Sequence, residues 1–266
     1  MKRLMWFCSV LVLFLFTRLQ GADCSVLLDA AVTGDYAIVH EYCSVGYDPT
    51  NQNPPTGTLF VDGIDGDGNT PIALAAMQGH YSIVERLIAA GARLNIVNHK
   101  RETPLMHAAK NGDDRMAQIL FNAGALVNIQ DTKGRMALIH AAKKGCMSTV
   151  ILLKIVGAEV SLQDAKGQNA LMHAAKQGHV DIVQMLKHAG VDINAVSSDG
   201  MTALMYAAQY GHEAVVHALI NLGADTALKS SAIDRDAAGI ATLCGWPAIA
   251  TMLYAAMGIY ALDDMI

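Results

Sequence analysis

The sequence predicts an all-α repeat solenoid of about seven helix-turn-helix units with β-turn fingers between them. Two glycine series carry this expectation. Gly79, Gly112, Gly145, Gly178 and Gly211 keep a step of 33 residues, and so do Gly91, Gly124, Gly157, Gly190 and Gly223. Paired alanines precede the first series (Ala75-Ala76, Ala108-Ala109, Ala141-Ala142, Ala174-Ala175, Ala207-Ala208) and are small enough to let helices approach closely. A unit of this length cannot bury its apolar face alone, so neighbours must stack into one continuous core. Composition agrees, because charged residues make up 16% of the chain, below the usual ~25%.

The first 22 residues read as an export signal rather than as part of the array. Met1-Lys2-Arg3 is a basic start, Leu4 to Phe16 is apolar apart from Ser9, and Gly21-Ala22 supplies small residues where cleavage is expected. The apolar run is shorter than the ~20 residues of an ordinary membrane span. A periplasmic or secreted protein follows, with an uncleaved anchor over residues 4–16 as the alternative. Asp23 before Cys24 argues against a lipoprotein signal.

The repeat domain then runs from 23 to 266. Residues 24–48 form a diverged N-terminal unit, in which Ala30-Ala31-Val32-Thr33-Gly34 and Ile38-Val39 mark a helix pair. Residues 49–66 form an inserted loop with Pro49, Pro54-Pro55 and Gly57, longer than most connections and therefore either functional or disordered. Five regular repeats occupy 67–229. In each, the first helix opens near a pair such as Thr103-Pro104, where Thr caps the orphan amides and Pro loses no needed donor. It closes at a glycine of the first series. The second helix carries apolar residues at helical spacing, as in Ile83, Val84, Leu87 and Ile88. Residues 230–266 make a C-terminal cap, with Pro247 opening a last helix.

These units resemble the ankyrin-repeat family. The motifs that carry the resemblance are Gly-Asn-Thr-Pro at 68–71, Gly-Met-Thr-Ala-Leu at 200–204, Gly-His at 79–80, 178–179 and 211–212, and Gly-Ala at 91–92, 124–125, 157–158 and 223–224. The resemblance implies a non-enzymatic scaffold for protein partners. Two departures stand out. The family's His after Thr-Pro-Leu is replaced by Ala73, Met106, Ile139, Met172 and Met205, so apolar packing is expected in place of a hydrogen bond to the turn. Arg101 stands where other units have Gly68, Gly134, Gly167 and Gly200; a left-handed turn there would cost ~1 kcal/mol or more, or the turn differs in shape.

Recognition is expected on the concave face formed by the first helices. The positions just before each alanine pair, and one and two after it, give His107, Lys110 and Asn111; His140, Lys143 and Lys144; His173, Lys176 and Gln177; Tyr206, Gln209 and Tyr210. Leu74, Met77 and Gln78 hold these positions in the first regular unit. This stripe is read as free of core duties, basic and His-rich at its centre and aromatic at its end. Turn-tip residues His99, Lys100, Arg101, Lys133, Arg135 and Lys166 add positive charge to a chain of net charge −5. An acidic or phosphorylated protein surface is the expected partner. Nucleic acid is not expected, nor a membrane except through the N-terminal segment, and the chain is read as a monomer.

Cys8 would leave with the signal. Cys24 and Cys43 lie at adjoining ends of the first helix pair and are a possible disulfide, whereas Cys146 and Cys244 are too far apart in the array to pair. The column of His107, His140 and His173 raises a competing reading, a His-lined metal- or haem-binding stress-protection protein. Zinc draws its ligands to about 2 Å from one centre, whereas packed helices lie ~8–10 Å apart, and no metal motif accompanies the column. No metal or cofactor is therefore expected, although the three rings are read as able to titrate near neutral pH. No nucleophile elbow, phosphate loop or zinc-helix motif is present, so no catalytic residue is assigned.

Overall fold

The computed structural model describes residues 24–44 and 61–258. The expected export segment, most of the 49–66 insertion and residues 259–266 lie outside the described residues. The chain divides into two compact units, one ending at His99 and the other beginning at Lys100. Among the described residues there are fourteen helices.

The N-terminal unit contains α1 (Cys24–Thr33), α2 (Tyr36–Ser44), α3 (Pro71–Gln78) and α4 (Tyr81–Ala89). The pairs α1–α2 and α3–α4 pack within themselves, and first helix meets first helix while second meets second. Leu27, Ala31, Val39, Ile72, Ala75 and Leu87 fill the core between them. The last part of the insertion is held by Asp62, whose carboxylate accepts from the Arg93 backbone N–H at 2.9 Å and from Arg93 Nε at 2.7 Å.

In the C-terminal unit the first helices are α5 (Pro104–Asn111), α7 (Ala137–Lys144), α9 (Ala170–Gln177), α11 (Ala203–Tyr210) and α13 (Ala237–Leu243). The second helices are α6 (Asp114–Asn122), α8 (Met147–Ile155), α10 (Val180–His188), α12 (Glu213–Asn221) and α14 (Pro247–Ala256). Successive first helices contact one another, and so do successive second helices. The paired alanines of α5, α7, α9 and α11 are all fully buried. Met106, Ile139, Met172 and Met205 are buried as well, so the family's His position is filled by apolar packing as expected.

The starts of the first helices follow capping chemistry with one exception. Thr103 Oγ1 accepts from the Met106 N–H, Asn169 Oδ1 from Met172 and Thr202 Oγ1 from Met205. Met136 precedes α7 and offers no cap; its side chain is in the core instead. Each of these four first helices ends at a left-handed glycine.

That glycine is required by the next repeat as well. An added Cβ on Gly145 would lie 2.5 Å from the His179 ring. The ring is there because His179 Nε2–H donates to the Lys143 carbonyl at 3.3 Å, and His212 likewise to the Lys176 carbonyl at 3.0 Å. The Gly-His motif thus joins the end of one first helix to the start of the following second helix. In the C-terminal cap the indole N–H of Trp246 does this, donating to the Gln209 carbonyl at 3.3 Å.

The turn fingers form their own ladder. Thr132 N–H donates to the Lys100 carbonyl, Ala165 to Lys133 and Ser198 to Lys166, at 3.0, 2.8 and 2.9 Å. Arg101 keeps pace by adopting the left-handed conformation, with φ of 58° against 72°, 70° and 70° at Gly134, Gly167 and Gly200. The turn therefore keeps its shape, and Arg101 carries the backbone strain that the glycines avoid.

The expected Cys24–Cys43 bridge is not formed, because Cys43 is a free thiol. Cys43 is half-buried beside Arg86 of α4, and its burial pushes the thiol above its usual range. Cys146 and Cys244 are also free thiols. No helix among the described residues is long and apolar enough to cross a membrane.

Candidate functional site

The column just before the alanine pairs is not a free surface. His107, His140, His173 and Tyr206 are 7%, 4%, 7% and 4% exposed. They are turned inward because each turn finger folds back over the helix that follows it. For His140, His173 and Tyr206, the residue that starts the finger meets the residue nine positions later. Asp131 Oδ2 accepts from His140 Nε2 at 3.1 Å, Asp164 Oδ2 from His173 Nε2 at 2.9 Å, and Tyr206 donates its hydroxyl to Ser197 Oγ at 3.2 Å. The turn-to-helix bond lost with the family's His is thus restored by a side chain one position further along.

Asp131 is the most heavily used of these turn residues. Its Oδ1 accepts from the backbone N–H groups of Lys133 and Arg135, and its Oδ2 from Arg135 Nε and Nη2 as well as from His140. Burial pushes this carboxyl up, but the hydrogen bonds from Arg135 and Lys133 outweigh that and hold it below the ordinary Asp range.

All three imidazoles are shifted below the ordinary His value, and His107 and His140 do not titrate near neutrality, contrary to expectation. Burial, followed by the nearby Lys110 and Arg135, brings His140 down to about 4, and Asp131 only partly opposes this. Burial likewise lowers His107 to about 4, against the pull of Glu102. His173 is lowered by burial too, with Asp164 pulling the other way. At pH 7 the rings are neutral, each of His140 and His173 donating Nε2–H to its own carboxylate. His107 differs: its Nε2 is buried without a hydrogen-bond partner, 3.8 Å from Glu102 Oε2. No group of three or more His, Cys, Asp or Glu side chains suited to a metal ion occurs among the described residues.

What remains accessible of the expected stripe lies three and four positions beyond the column. Asn111, Lys143, Lys144, Gln177, Gln209 and Tyr210 are exposed, and Lys110 and Lys176 are partly so. Lys110 is paired with Glu102, whereas Lys143 and Lys144 form no ion pair among the described residues. Lys110, Arg135, His140, Lys143 and Lys144 surround an open pocket of about 340 Å³. One repeat further on, the Lys176 ammonium stands 5.2 Å from the ring centres of both Tyr206 and Tyr210. Tyr206 is held from beneath, its hydroxyl accepting from Gln168 Nε2 at 2.7 Å while donating to Ser197. Tyr210 is exposed and stacks on His212.

The structure therefore separates two sets that the sequence stripe had merged: a buried column that ties turns to helices, and an exposed row of cations and one tyrosine. The pairing at nine residues, Asp131–His140, Asp164–His173 and Ser197–Tyr206, was the signal that would have separated them. A family model described as Ankyrin repeats (3 copies) matches residues 27–131 and 138–230, more than half of the chain. No curated protein matches the chain significantly.

Proposed function

The chain belongs to the ankyrin-repeat family, whose repeats generally mediate protein–protein interaction, and from that premise we propose a scaffold that holds one acidic or phosphorylated protein partner. The observation that carries this reading is the pair Lys143 and Lys144, exposed and without counter-ions among the described residues, beside Lys110 and Arg135. Such a patch steers an anionic surface and rejects a cationic one. Lys176 and Tyr210 on the next helix add a cation and an aromatic anchor, residue types favoured at binding hot spots. Because the supporting side chains are locked by hydrogen bonds to the turns, little ordering cost accompanies association.

Catalysis is no part of this reading: the family typically supplies interaction scaffolds, and His140 and His173, the most reactive groups near the patch, are committed to their carboxylates. Export rests on the basic start and the apolar run over residues 4–16, which together favour a partner in the envelope or outside the cell, met by a monomeric chain.

Affinity capture from the native compartment tests the reading, using the chain and a Lys143→Ala, Lys144→Ala, Lys176→Ala, Tyr210→Ala variant. The expected result is a partner retained by the first and absent from the second, with both proteins equally folded by circular dichroism. Equal capture by both would move the binding site elsewhere on the chain; capture by neither would remove the scaffold reading itself.

A further inference from the structure

The pocket between α5 and α7 has a charge balance that narrows the partner's chemistry beyond the scaffold reading, on which the following assignment rests. About 340 Å³ is enough for a small group, at the lower end of the ~300–1,000 Å³ range of ligand pockets. Four cationic side chains line it and no carboxylate does. Two of those cations are already compensated, Lys110 by Glu102 and Arg135 by Asp131. Lys143 and Lys144 are not, so among the described residues the pocket is two negative charges short of neutrality.

Arg135 still has donors to offer. Asp131 takes its Nε–H and one Nη2–H, both on Oδ2, which leaves three of the five N–H groups of a guanidinium unused. The same carboxylate fixes the plane of that fork, so it is presented in one orientation. The positive field is felt inside the protein too, since Lys110 and Arg135 join burial in depressing the proton affinity of His140.

A carboxylate would bring one charge and two acceptor oxygens to this pocket. A phosphate monoester brings ~−1.5 to −2 and three. We propose that the pocket lined by Lys110, Arg135, Lys143 and Lys144 seats a phosphorylated serine or threonine side chain of the protein partner. Lys143 and Lys144 supply the uncompensated charge, and Arg135 supplies the directed hydrogen bonds. Lys176 and Tyr210 then meet residues next to the modified side chain.

The test presents the 266-residue chain with a degenerate peptide pool holding a fixed central phosphoserine, and with its serine and aspartate twins. Inorganic phosphate serves as a fourth probe. Fluorescence anisotropy is expected to show the phosphorylated pool binding about tenfold or more tighter than either twin. A Lys143→Ala, Lys144→Ala variant should lose that preference, while a Lys154→Ala, Lys187→Ala variant with the same net charge should keep it. Three results would overturn the assignment: equal binding of phosphoserine and aspartate pools, equal loss in both double variants, or inorganic phosphate competing at the peptide's own concentration, which would make the pocket a small-anion site. If the partner is captured as described above but the pool shows no preference, this assignment fails and the scaffold reading stands.

Discussion

In the repeats that start at Asp131 and Asp164, the turn is tied to its helix by a carboxylate and an imidazole; in the repeat that starts at Ser197, two hydroxyls replace them. The three ties span the same nine residues, the Asp164–His173 one being less deeply buried than the other two. Charge at this position is therefore optional, and its duty is mechanical: it fixes the finger over the helix. The exposed positions just beyond behave differently. They read Lys143-Lys144, then Lys176-Gln177, then Gln209-Tyr210, changing from a doubly cationic to a neutral aromatic pair on an unchanged scaffold. The structural ties and the positions proposed for recognition thus lie only three or four residues apart.

Acid should expose this contrast most strongly. His140 and His107 fall from an ordinary 6.5 to about 4 in the folded chain. Their contribution to stability is complete above pH 6.5 and is lost as pH falls through the folded value. At ~1.4 kcal/mol per unit, the two rings together remove on the order of 5 kcal/mol between pH 7 and pH 4. Urea midpoints across that range should fall steeply, with His173 adding to the slope, and His140→Gln should remove a large share of the dependence. Asp131, held below its ordinary value, keeps its contribution through most of this window and surrenders it only at more acidic pH. The Ser197–Tyr206 tie adds nothing to the slope.

At neutral pH the carboxylate tie should be the costlier one to break. Asp131→Ala strips partners from part-buried Arg135 and buried His140 and dissolves the finger, for an expected loss of ~3 kcal/mol. Ser197→Ala removes two neutral hydrogen bonds and should cost ~1 kcal/mol. Equal losses in urea titrations would show that the two ties are equivalent in strength as well as in place. The smallest effect belongs to the finger without a glycine. Arg101→Gly relieves left-handed strain of ~1–2 kcal/mol and adds ~0.5–1 kcal/mol of unfolded-state entropy, so a gain of ~0.5 kcal/mol is expected. A loss would mean that the Arg101 side chain stabilises its finger.

The stack itself was legible because its signals are local. Glycine at a helix end, Thr-Pro at a start and a doubled alanine each act within one turn, and their repetition at 33 residues announces neighbours of the same kind. The inward turn of His107, His140, His173 and Tyr206 was not legible from helix periodicity. On the helix alone these positions share a side with the lysines that follow them. For His140, His173 and Tyr206, the finger folding back from nine residues earlier meets the first of each trio, while the positions that follow stay accessible. The unformed Cys24–Cys43 bridge has a similar cause: adjoining helix ends suggest proximity, while the packing places Cys43 beside Arg86 of the following repeat. The strained Arg101 was foreseen as one of two possibilities, and the ladder of backbone bonds between fingers decides for the left-handed one.

The separation of tie from surface is tested most directly with one captured partner and two variants measured side by side. Lys143→Ala, Lys144→Ala should leave the unfolding midpoint within ~0.5 kcal/mol of the parent and weaken partner binding about tenfold or more. His173→Gln should lower the midpoint and leave the affinity of the folded protein unchanged. If the lysine variant binds as tightly as the parent, or the histidine variant loses affinity while fully folded, the buried column takes part in recognition and the division drawn here is wrong.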